Sequence, residues 1–166
     1  MVSDKALTEM MHQQLEPLYR VSLSILRSQA DAQDAVQQGM LRAWERRWQV
    51  GDEKKIRAWL TRIVVNECRN IQRKRMRVFP VADMPGEGRK DCMRGGELKA
   101  AIAALPEKLR TPLLLHYMEG FGEKEIALIL GIPATTVKSR MHRARKALRS
   151  ELEDADMFAE VFRTIA

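Results

Sequence analysis

A short break between two helical repeats near the C-terminal end constrains this fold more than any other feature. Residues 123–130 place apolar side chains on one face of a helix. Gly131 ends that period, and Ile132-Pro133 predicts a turn, because proline lacks a backbone donor and restricts the residue before it. In the next helix, apolar residues again recur on one face: Val137, Met141, Ala144 and Leu148. The pattern predicts a helix-turn-helix.

The other face of the second helix is basic, and no acidic residue occurs between Glu125 and Glu151. Polar side chains near the start of a recognition helix reach base edges, and the cations beside them hold phosphates. The pattern therefore favours DNA binding, and the alternative is a solvated basic helix within an all-α domain. The polar residues of this face are Lys138, Ser139, Arg140, His142, Arg143, Arg145, Lys146 and Arg149.

Composition agrees with an all-helical, polyanion-binding protein. Of the 166 residues, 5% are aromatic and 31% are charged, and the net charge is +7. Cys68 and Cys92 lack metal-ligand spacing, so we expect reduced thiols, no metal and no cofactor. We see no signal peptide and no apolar run of about 18 residues that would span a membrane, and therefore expect a cytoplasmic protein without membrane insertion.

The N-terminal part predicts three helices, at about residues 6–27, 32–48 and 56–76. Pro17 predicts a kink in the first helix or its division into two. Residues 49–55 predict a loop, and Ser28 or Asp31 can cap the second helix. The predicted buried stripe of the second helix is Val36, Met40, Ala43 and Trp44. Its opposite side is a mixed polar and leucine surface, which is either a protein-docking surface or simply solvated.

The third helix combines an aromatic ring, amides and guanidinium groups within one sector of about 100° on its surface. Such groups grip unstacked single strands of nucleic acid. The alternative, a partly buried tryptophan beside ordinary surface charges, fits the helix geometry equally well. The residues of the sector are Trp59, Arg62, Asn66, Arg69, Asn70 and Arg73.

Residues 77–96 contain two prolines and four glycines and predict a flexible interdomain linker. The fold class is therefore all-α, with two small helical bundles, at residues 1–76 and 97–153, of which the second contains the helix-turn-helix. Residues 154–166 form an acidic amphipathic tail.

With both halves considered, the chain resembles a bacterial RNA polymerase sigma factor of the extracytoplasmic-function (ECF) type. The resemblance rests on three segments in order, DAQDAVQQGMLRAWERR, RAWLTRIVVNECRNIQRKR and the stretch from AALPEKLR to the end of the helix-turn-helix. It implies that the first bundle is sigma region 2 and the second is region 4. It also implies a non-enzymatic protein whose partners are core RNA polymerase (its β′ clamp helices and β flap), promoter DNA and an anti-sigma factor.

The resemblance further assigns three surfaces. The second helix would dock on core polymerase through Asp34, Gln37, Gln38, Leu41, Arg42 and Trp44. The third helix and the loop before it would hold the melted −10 element through the sector from Trp59 to Arg73. The helix-turn-helix would read the −35 element through its basic face together with Thr135 and Thr136.

Four positions depart from the family pattern. One is Gly122, which precedes Glu123 where the family commonly has an aromatic residue. Gln33 and Gln38 stand where the family usually has acidic residues, and Gln38 weakens the charge complementarity expected with a basic β′ surface. Gly39 stands where the family usually has a bulky residue, at a cost of roughly 1 kcal/mol in helix propensity.

Two other classes of protein are rival interpretations. A conventional dimeric regulator would need a sensor or dimerisation domain, but residues 1–76 show no α/β pattern and no long heptads. A nuclease or recombinase would need a nucleophile or clustered carboxylates, and Asp31, Asp34 and Glu45 have no supporting partners in the sequence.

Overall fold

A computed structural model describes residues 2–78 and 96–151, and side chains at residues 2–78 and 99–148. Throughout these ranges the regular structure is helical, which confirms the predicted all-α class. The chain divides into two compact units, described separately below. The α-helices are α1 (Asp4–Leu26), α2 (Gln29–Glu45), α3 (Ile56–Val78), α4 (Gly96–Ala104), α5 (Glu107–Tyr117), α6 (Glu123–Leu130) and α7 (Ala134–Glu151).

In the first unit α1, α2 and α3 all pack against one another. The helix α1 continues through Pro17, so the predicted division into two helices is wrong. One core cluster of this unit contains Leu7, Ala43, Val50, Ile56 and Leu60, and Trp59 lies partly buried against it. Burial of each leucine or isoleucine contributes about 1.5–3 kcal/mol, and the cluster joins all three helices.

The corner between α1 and α2 is held by α3. Of the two predicted caps, Ser28 and Asp31, it is Ser28 that caps α2, by accepting a hydrogen bond from the backbone N–H of Asp31. Near its C-terminal end α3 brings Arg75 to this corner, where its guanidinium pairs with the Asp31 carboxylate and donates to the Leu26 carbonyl. The third helix is thereby fixed against the turn that precedes the second.

The buried face of α2 is made of small residues. Ala32, Ala35 and Ala43 are fully buried, whereas Trp44 is 40% exposed, so the predicted place of Trp44 in the buried stripe is wrong. The short distance between α2 and α3 at Gly39 shows why small side chains are needed here. A Cβ atom at Gly39 would lie 2.5 Å from Val64 Cγ2 and 3.2 Å from Val64 Cα. This glycine therefore allows α2 and α3 to approach closely, which its helix propensity alone does not show.

The segment between α2 and α3 is more regular than the predicted loop. Two 3-10 helices occupy it, at Arg47–Gln49 and Glu53–Lys55. The Asp52 carboxylate caps the second by accepting a hydrogen bond from the backbone N–H of Lys54. Helix α2 consequently ends at Glu45, three residues before its predicted end.

In the second unit α5 and α6 pack on α7, and α4 also contacts α7. Leu105, Leu113, Ala144 and Leu148 form a buried cluster. The Arg110 side chain, 5% exposed, donates to the Leu105 carbonyl at 2.7 Å and thus satisfies an acceptor where the chain leaves α4.

The helix-turn-helix is confirmed as predicted. Helix α6 ends at Leu130 and is capped by Gly131, whose φ of +67° is the left-handed conformation that glycine adopts without steric cost. At the start of α6, the Glu125 carboxylate accepts a hydrogen bond from the backbone N–H of Gly122. Each of the four apolar residues predicted for the buried face of α7 is 0% exposed.

The structure bears only partly on the predicted boundaries. Helix α3 ends at Val78, two residues beyond the predicted end of the first bundle, and α4 begins at Gly96, one residue before the predicted start of the second. Most of the predicted linker and the whole of the predicted tail lie outside the described residues.

Candidate nucleic-acid and protein interfaces

The face of α7 opposite its core carries the predicted polar and cationic residues. Val137, Met141 and Ala144 anchor the helix to its unit, so the intervening positions are directed away from that core. Arg140, Arg145 and Thr136 are half-buried, and the remaining predicted residues are exposed: Thr135, Lys138, Ser139, His142, Arg143 and Lys146. The side chain of Arg149 is outside the described range.

Two arginines of this face are already held within the unit. The Arg143 guanidinium donates to the Ser139 hydroxyl one turn earlier, at 3.3 Å on the exposed surface. Arg145 donates through Nε to the Tyr117 hydroxyl of α5 at 2.7 Å. The chain thus presents an ordered cationic surface at a helix-turn-helix, which suits phosphate binding on both sides of a groove.

The predicted sector of α3 differs in exposure along the helix. Arg62 and Asn66 are exposed, whereas Trp59 and Arg69 are half-buried. Because Trp59 packs partly against the first core cluster, its ring is fixed beside these groups rather than mobile in solvent. An aromatic edge, an exposed amide and a cation therefore lie on one surface, a combination suited to unstacked bases.

The C-terminal part of the same sector belongs to a polar network centred on Glu67. Glu67 is 5% exposed, and its carboxylate forms an ion pair with the Arg42 guanidinium of α2 at 2.7 Å. Glu67 also accepts from the Asn70 amide at 3.5 Å, and Asn70 accepts in turn from Arg73. Asn70 and Arg73 are thus partly committed to hydrogen bonds within α3, beside the ion pair that joins α3 to α2.

Sequence reasoning missed Glu67, although a signal was present. The residue lies three positions after Val64 and next to Cys68, on the stripe that faces the other helices. An acidic residue on a buried stripe requires a cationic or hydrogen-bonding partner. That partner, Arg42, lies on another helix 25 positions earlier, and the sequence alone does not pair them.

An open cleft of about 480 Å³ between α2 and α3 joins residues that the sequence had assigned to two different surfaces. Asp34, Gln38 and Arg42 come from the predicted polymerase surface, and Asn70 and Arg73 from the predicted −10 surface. The remaining lining residues are Glu67, Ile71, Lys74 and Arg77. The two predicted surfaces therefore adjoin in the folded unit.

The outward face of α2 exposes apolar side chains. Leu41 is 59% exposed and Trp44 40%. The Arg47 guanidinium lies 4.7 Å from the centroid of the Trp44 ring, and Arg47 also pairs with Asp4. Gln37 is exposed on the same helix. Large apolar groups exposed among polar ones are typical of protein-docking surfaces.

No group of three or more His, Cys, Asp or Glu side chains is placed to hold a metal ion in residues 2–78 and 99–148. Among the helices that the structure describes, none is long and apolar enough to cross a membrane.

Comparison with protein families locates both units. The model of sigma-70 region 2 matches residues 10–78, and that of sigma-70, region 4 matches residues 95–148. The ECF RNA polymerase sigma factor SigW of Bacillus subtilis (strain 168) is 30% identical over 158 residues, which cover 84% of this chain and 84% of SigW. The chain belongs to the ECF sigma factors. This membership confirms the resemblance inferred from its three segments.

Other comparisons agree with this ECF assignment. The RNA polymerase sigma factor SigV of the same B. subtilis strain is 30% identical over 146 residues, covering 86% of this chain and 88% of SigV. The co-crystal structure of the sigma factor RpoE with the anti-sigma factor NepR from Bartonella quintana has a TM-score of 0.73 and 27% sequence identity. That match covers 89% of this chain and 97% of RpoE.

As an ECF sigma factor, the protein is a promoter-recognising subunit of RNA polymerase, with core polymerase and promoter DNA as partners. The conventional-regulator alternative is not favoured by these matches. The region 2 match contains the α2 and α3 surfaces, and the region 4 match contains the helix-turn-helix.

Proposed function

We propose that the two units divide promoter recognition between them. The first bundle, residues 1–76 with the last turn of α3, binds core polymerase and the −10 element, and the second, residues 97–153, binds the −35 element. Residues 77–96 connect them, and 154–166 form a tail. The observation that carries this proposal is that each family match coincides with a unit bearing its own exposed cationic helix.

The −35 element would be bound by α7 in the major groove. Residues near the start of a recognition helix reach base edges, and later residues reach the backbone. Thr135 and Ser139 would contact bases, and their exposure on the first two turns supports this role. The neighbouring polar and cationic side chains would contact phosphates: Lys138, Arg140, His142, Arg143, Arg145 and Lys146.

The −10 element would be held as a single strand on α3. Asn66 offers an exposed amide with both donor and acceptor groups, and Trp59 offers a fixed ring edge beside it. Arg62 and Arg69 supply cations for the strand backbone. Asn70 and Arg73 bind the strand from the edge of the cleft, where their mutual hydrogen bond orders them.

Core polymerase would dock on α2. Leu41 and Trp44 supply the apolar centre of this surface, and Gln37, Gln38 and Asp34 supply its polar rim. Arg42 supports the surface from below, since its guanidinium is engaged with Glu67. The β′ clamp helices are the docking site that the family membership suggests for α2, and the β flap is the site for the second unit.

Tethering to core polymerase allows two DNA-binding surfaces of low affinity to recognise a promoter. Once α2 is docked, each DNA-binding surface faces its element at a high effective concentration, so neither needs high affinity alone. Capture of unpaired bases on α3 would stabilise the melted region without ATP. The protein would then act in the cytoplasm, without catalysis of its own. Because RpoE is bound to NepR in its crystal structure, we propose that an anti-sigma factor sequesters this chain too.

The proposal is tested by run-off transcription with purified core polymerase and a library of genomic fragments. We expect discrete transcripts from a small set of fragments that share two elements at one spacing. Core polymerase without the chain is the control. Initiation that is equally unspecific with and without the chain would refute the proposal.

A further inference from the structure

In the last turn of α5, Tyr117 contacts Arg145 on the cationic face of α7. The Arg145 Nε–H donates to the Tyr117 hydroxyl at 2.7 Å, and the guanidinium carbon lies 5.5 Å from the centroid of the tyrosine ring. Arg145 is half-buried as a result. A charged donor on a phenol oxygen, with the same cation near the ring, holds the arginine in a defined place.

Tyr117 is itself fixed by its surroundings. Its ring packs against the buried cluster that contains Leu113 and Ala144. The His116 ring meets it edge-on, with centroids 4.8 Å apart and planes at 82°. His116 Nδ1 donates to the Phe121 carbonyl at 2.8 Å, which ties this end of α5 to the segment before α6. The tyrosine hydroxyl is therefore a rigid support.

The contact leaves the terminal nitrogens of Arg145 available. A guanidinium carries five N–H donors, and the one on Nε is committed to Tyr117. Among the side chains that the structure describes, the two terminal nitrogens of Arg145 have no other partner. Those nitrogens form the flat fork that binds two oxygens of one phosphate.

The position of Arg145 in the helix favours a phosphate over a base. It lies 11 residues after Ala134, the first residue of α7, which is about 16 Å along the axis. Base edges are read by the first turns of a recognition helix, whereas the later turns meet the backbone. An arginine tied back to Tyr117 also lacks the reach that a base contact in the groove floor requires.

We propose that Tyr117 is a positioning residue that presents Arg145 as a preset two-pronged receptor for one backbone phosphate of the promoter duplex. This inference rests on the proposed function of α7. The contact sets the register of the unit on the DNA and does not discriminate base sequence. Lys146 lies next to Arg145 on the same helix, is exposed, and provides a cation without such a support.

The test uses holoenzyme formed from the full chain and core polymerase, on a promoter found by the run-off experiment. Duplexes carry a neutral methylphosphonate in place of one phosphate at a time across the −35 region. In the wild type we expect one such duplex to bind markedly more weakly, and Arg145→Ala to abolish its difference from the unmodified duplex. Tyr117→Phe keeps the ring and loses the hydroxyl. Affinity should therefore fall about three- to tenfold, and most of the response to that same phosphate should be lost.

Two further variants separate position from charge. Arg145→Lys keeps the charge but loses the fork, so we expect it to resemble Arg145→Ala and not the wild type. Lys146→Ala should lower overall affinity and leave the response to the identified phosphate unchanged. Base preferences measured with substituted −35 sequences should be the same in wild type, Tyr117→Phe and Arg145→Ala.

The inference is overturned if Tyr117→Phe retains the full response to that phosphate, if Arg145→Lys behaves as the wild type, or if Arg145→Ala changes base preference. Unfolding followed by circular dichroism checks that the variants fold, and Arg145→Lys decides the matter should Tyr117→Phe prove unfolded. Failure of the proposed function looks different, because the wild-type holoenzyme would then show no promoter-specific binding at all.

Discussion

Replacement of Gly39 by alanine tests the close packing of α2 on α3. Alanine in a helix interior is favoured over glycine by about 1 kcal/mol, so propensity alone predicts a gain in stability. The structure predicts the opposite sign. The added Cβ would lie 2.5 Å from Val64 Cγ2, more than 1 Å inside ordinary carbon contact, and 3.2 Å from a backbone atom. Valine cannot easily turn aside, because its χ1 angle is restricted in a helix.

The two effects can be weighed. Overpacking costs typically about 1–3 kcal/mol, and an approach of 2.5 Å belongs in the upper part of that range, about 2–3 kcal/mol, which exceeds the gain of about 1 kcal/mol. We therefore expect Gly39→Ala to lower the free energy of unfolding of the first unit by about 1–2 kcal/mol. In a Val64→Ala background the clash with Cγ2 is absent and only the 3.2 Å approach to the Cα atom remains, so the same substitution should leave the free energy of unfolding nearly unchanged. The two substitutions should couple by about 1–2 kcal/mol.

The assay is urea unfolding of the full chain followed by tryptophan fluorescence. All three tryptophans, Trp44, Trp48 and Trp59, lie in the first unit, so the signal reports that unit alone. Gln33 is exposed on α2, and the difference between Gln33→Gly and Gln33→Ala measures propensity without a clash. A stability gain from Gly39→Ala equal to that control, with no coupling to Val64→Ala, would refute the reasoning.

Three further predictions concern the polar network, the turn and the docking surface. Arg42→Ala should lower the stability of the first unit by about 1–2 kcal/mol, because it leaves the Glu67 carboxylate buried without its cation. Glu67→Gln in that background should restore part of the loss. Urea unfolding in which Arg42→Ala costs nothing would contradict this. Gly131→Ala should destabilise the second unit by about 1–2 kcal/mol. Nothing lies within 4 Å of the added Cβ, so the whole cost comes from the φ of +67°. Unfolding is followed by circular dichroism, and an unchanged unfolding midpoint would show that the turn relaxes. Leu41→Ala should weaken binding to core polymerase about tenfold in a fluorescence titration, with little change in stability. As the control, Gln33→Ala should change neither the affinity nor the stability. Equal affinities for the wild type and Leu41→Ala would remove Leu41 from the docking surface.

Local signals predicted the second unit well. Gly131, Pro133 and the apolar repeat of α7 all act within a few residues of one another, and the observed turn and buried face follow from them. Such features depend on backbone conformation and helical period, which a sequence displays directly. Six predicted residues of the α7 surface are exposed for the same reason, whereas Thr136, Arg140 and Arg145 are half-buried.

The first unit shows where sequence reasoning stops. A large apolar residue such as Trp44 is expected to be buried, but the close packing of α2 buries its alanines and Gly39 instead. The pairing of Glu67 with Arg42 depends on two helices meeting, and no local pattern records that meeting. The support of Arg145 by Tyr117 is likewise a contact between residues 28 positions apart.

The central claim is that α3 captures the opened strand and α7 captures the duplex. The most direct measurement compares initial promoter binding with the yield of unpaired thymines detected by permanganate, for holoenzymes carrying Asn66→Ala or Lys146→Ala. Both side chains are exposed, and neither belongs to a core cluster. We predict that Asn66→Ala lowers the open fraction of bound promoter and leaves initial binding unchanged, whereas Lys146→Ala lowers initial binding alone. Equal losses at both stages for Asn66→Ala would contradict the account.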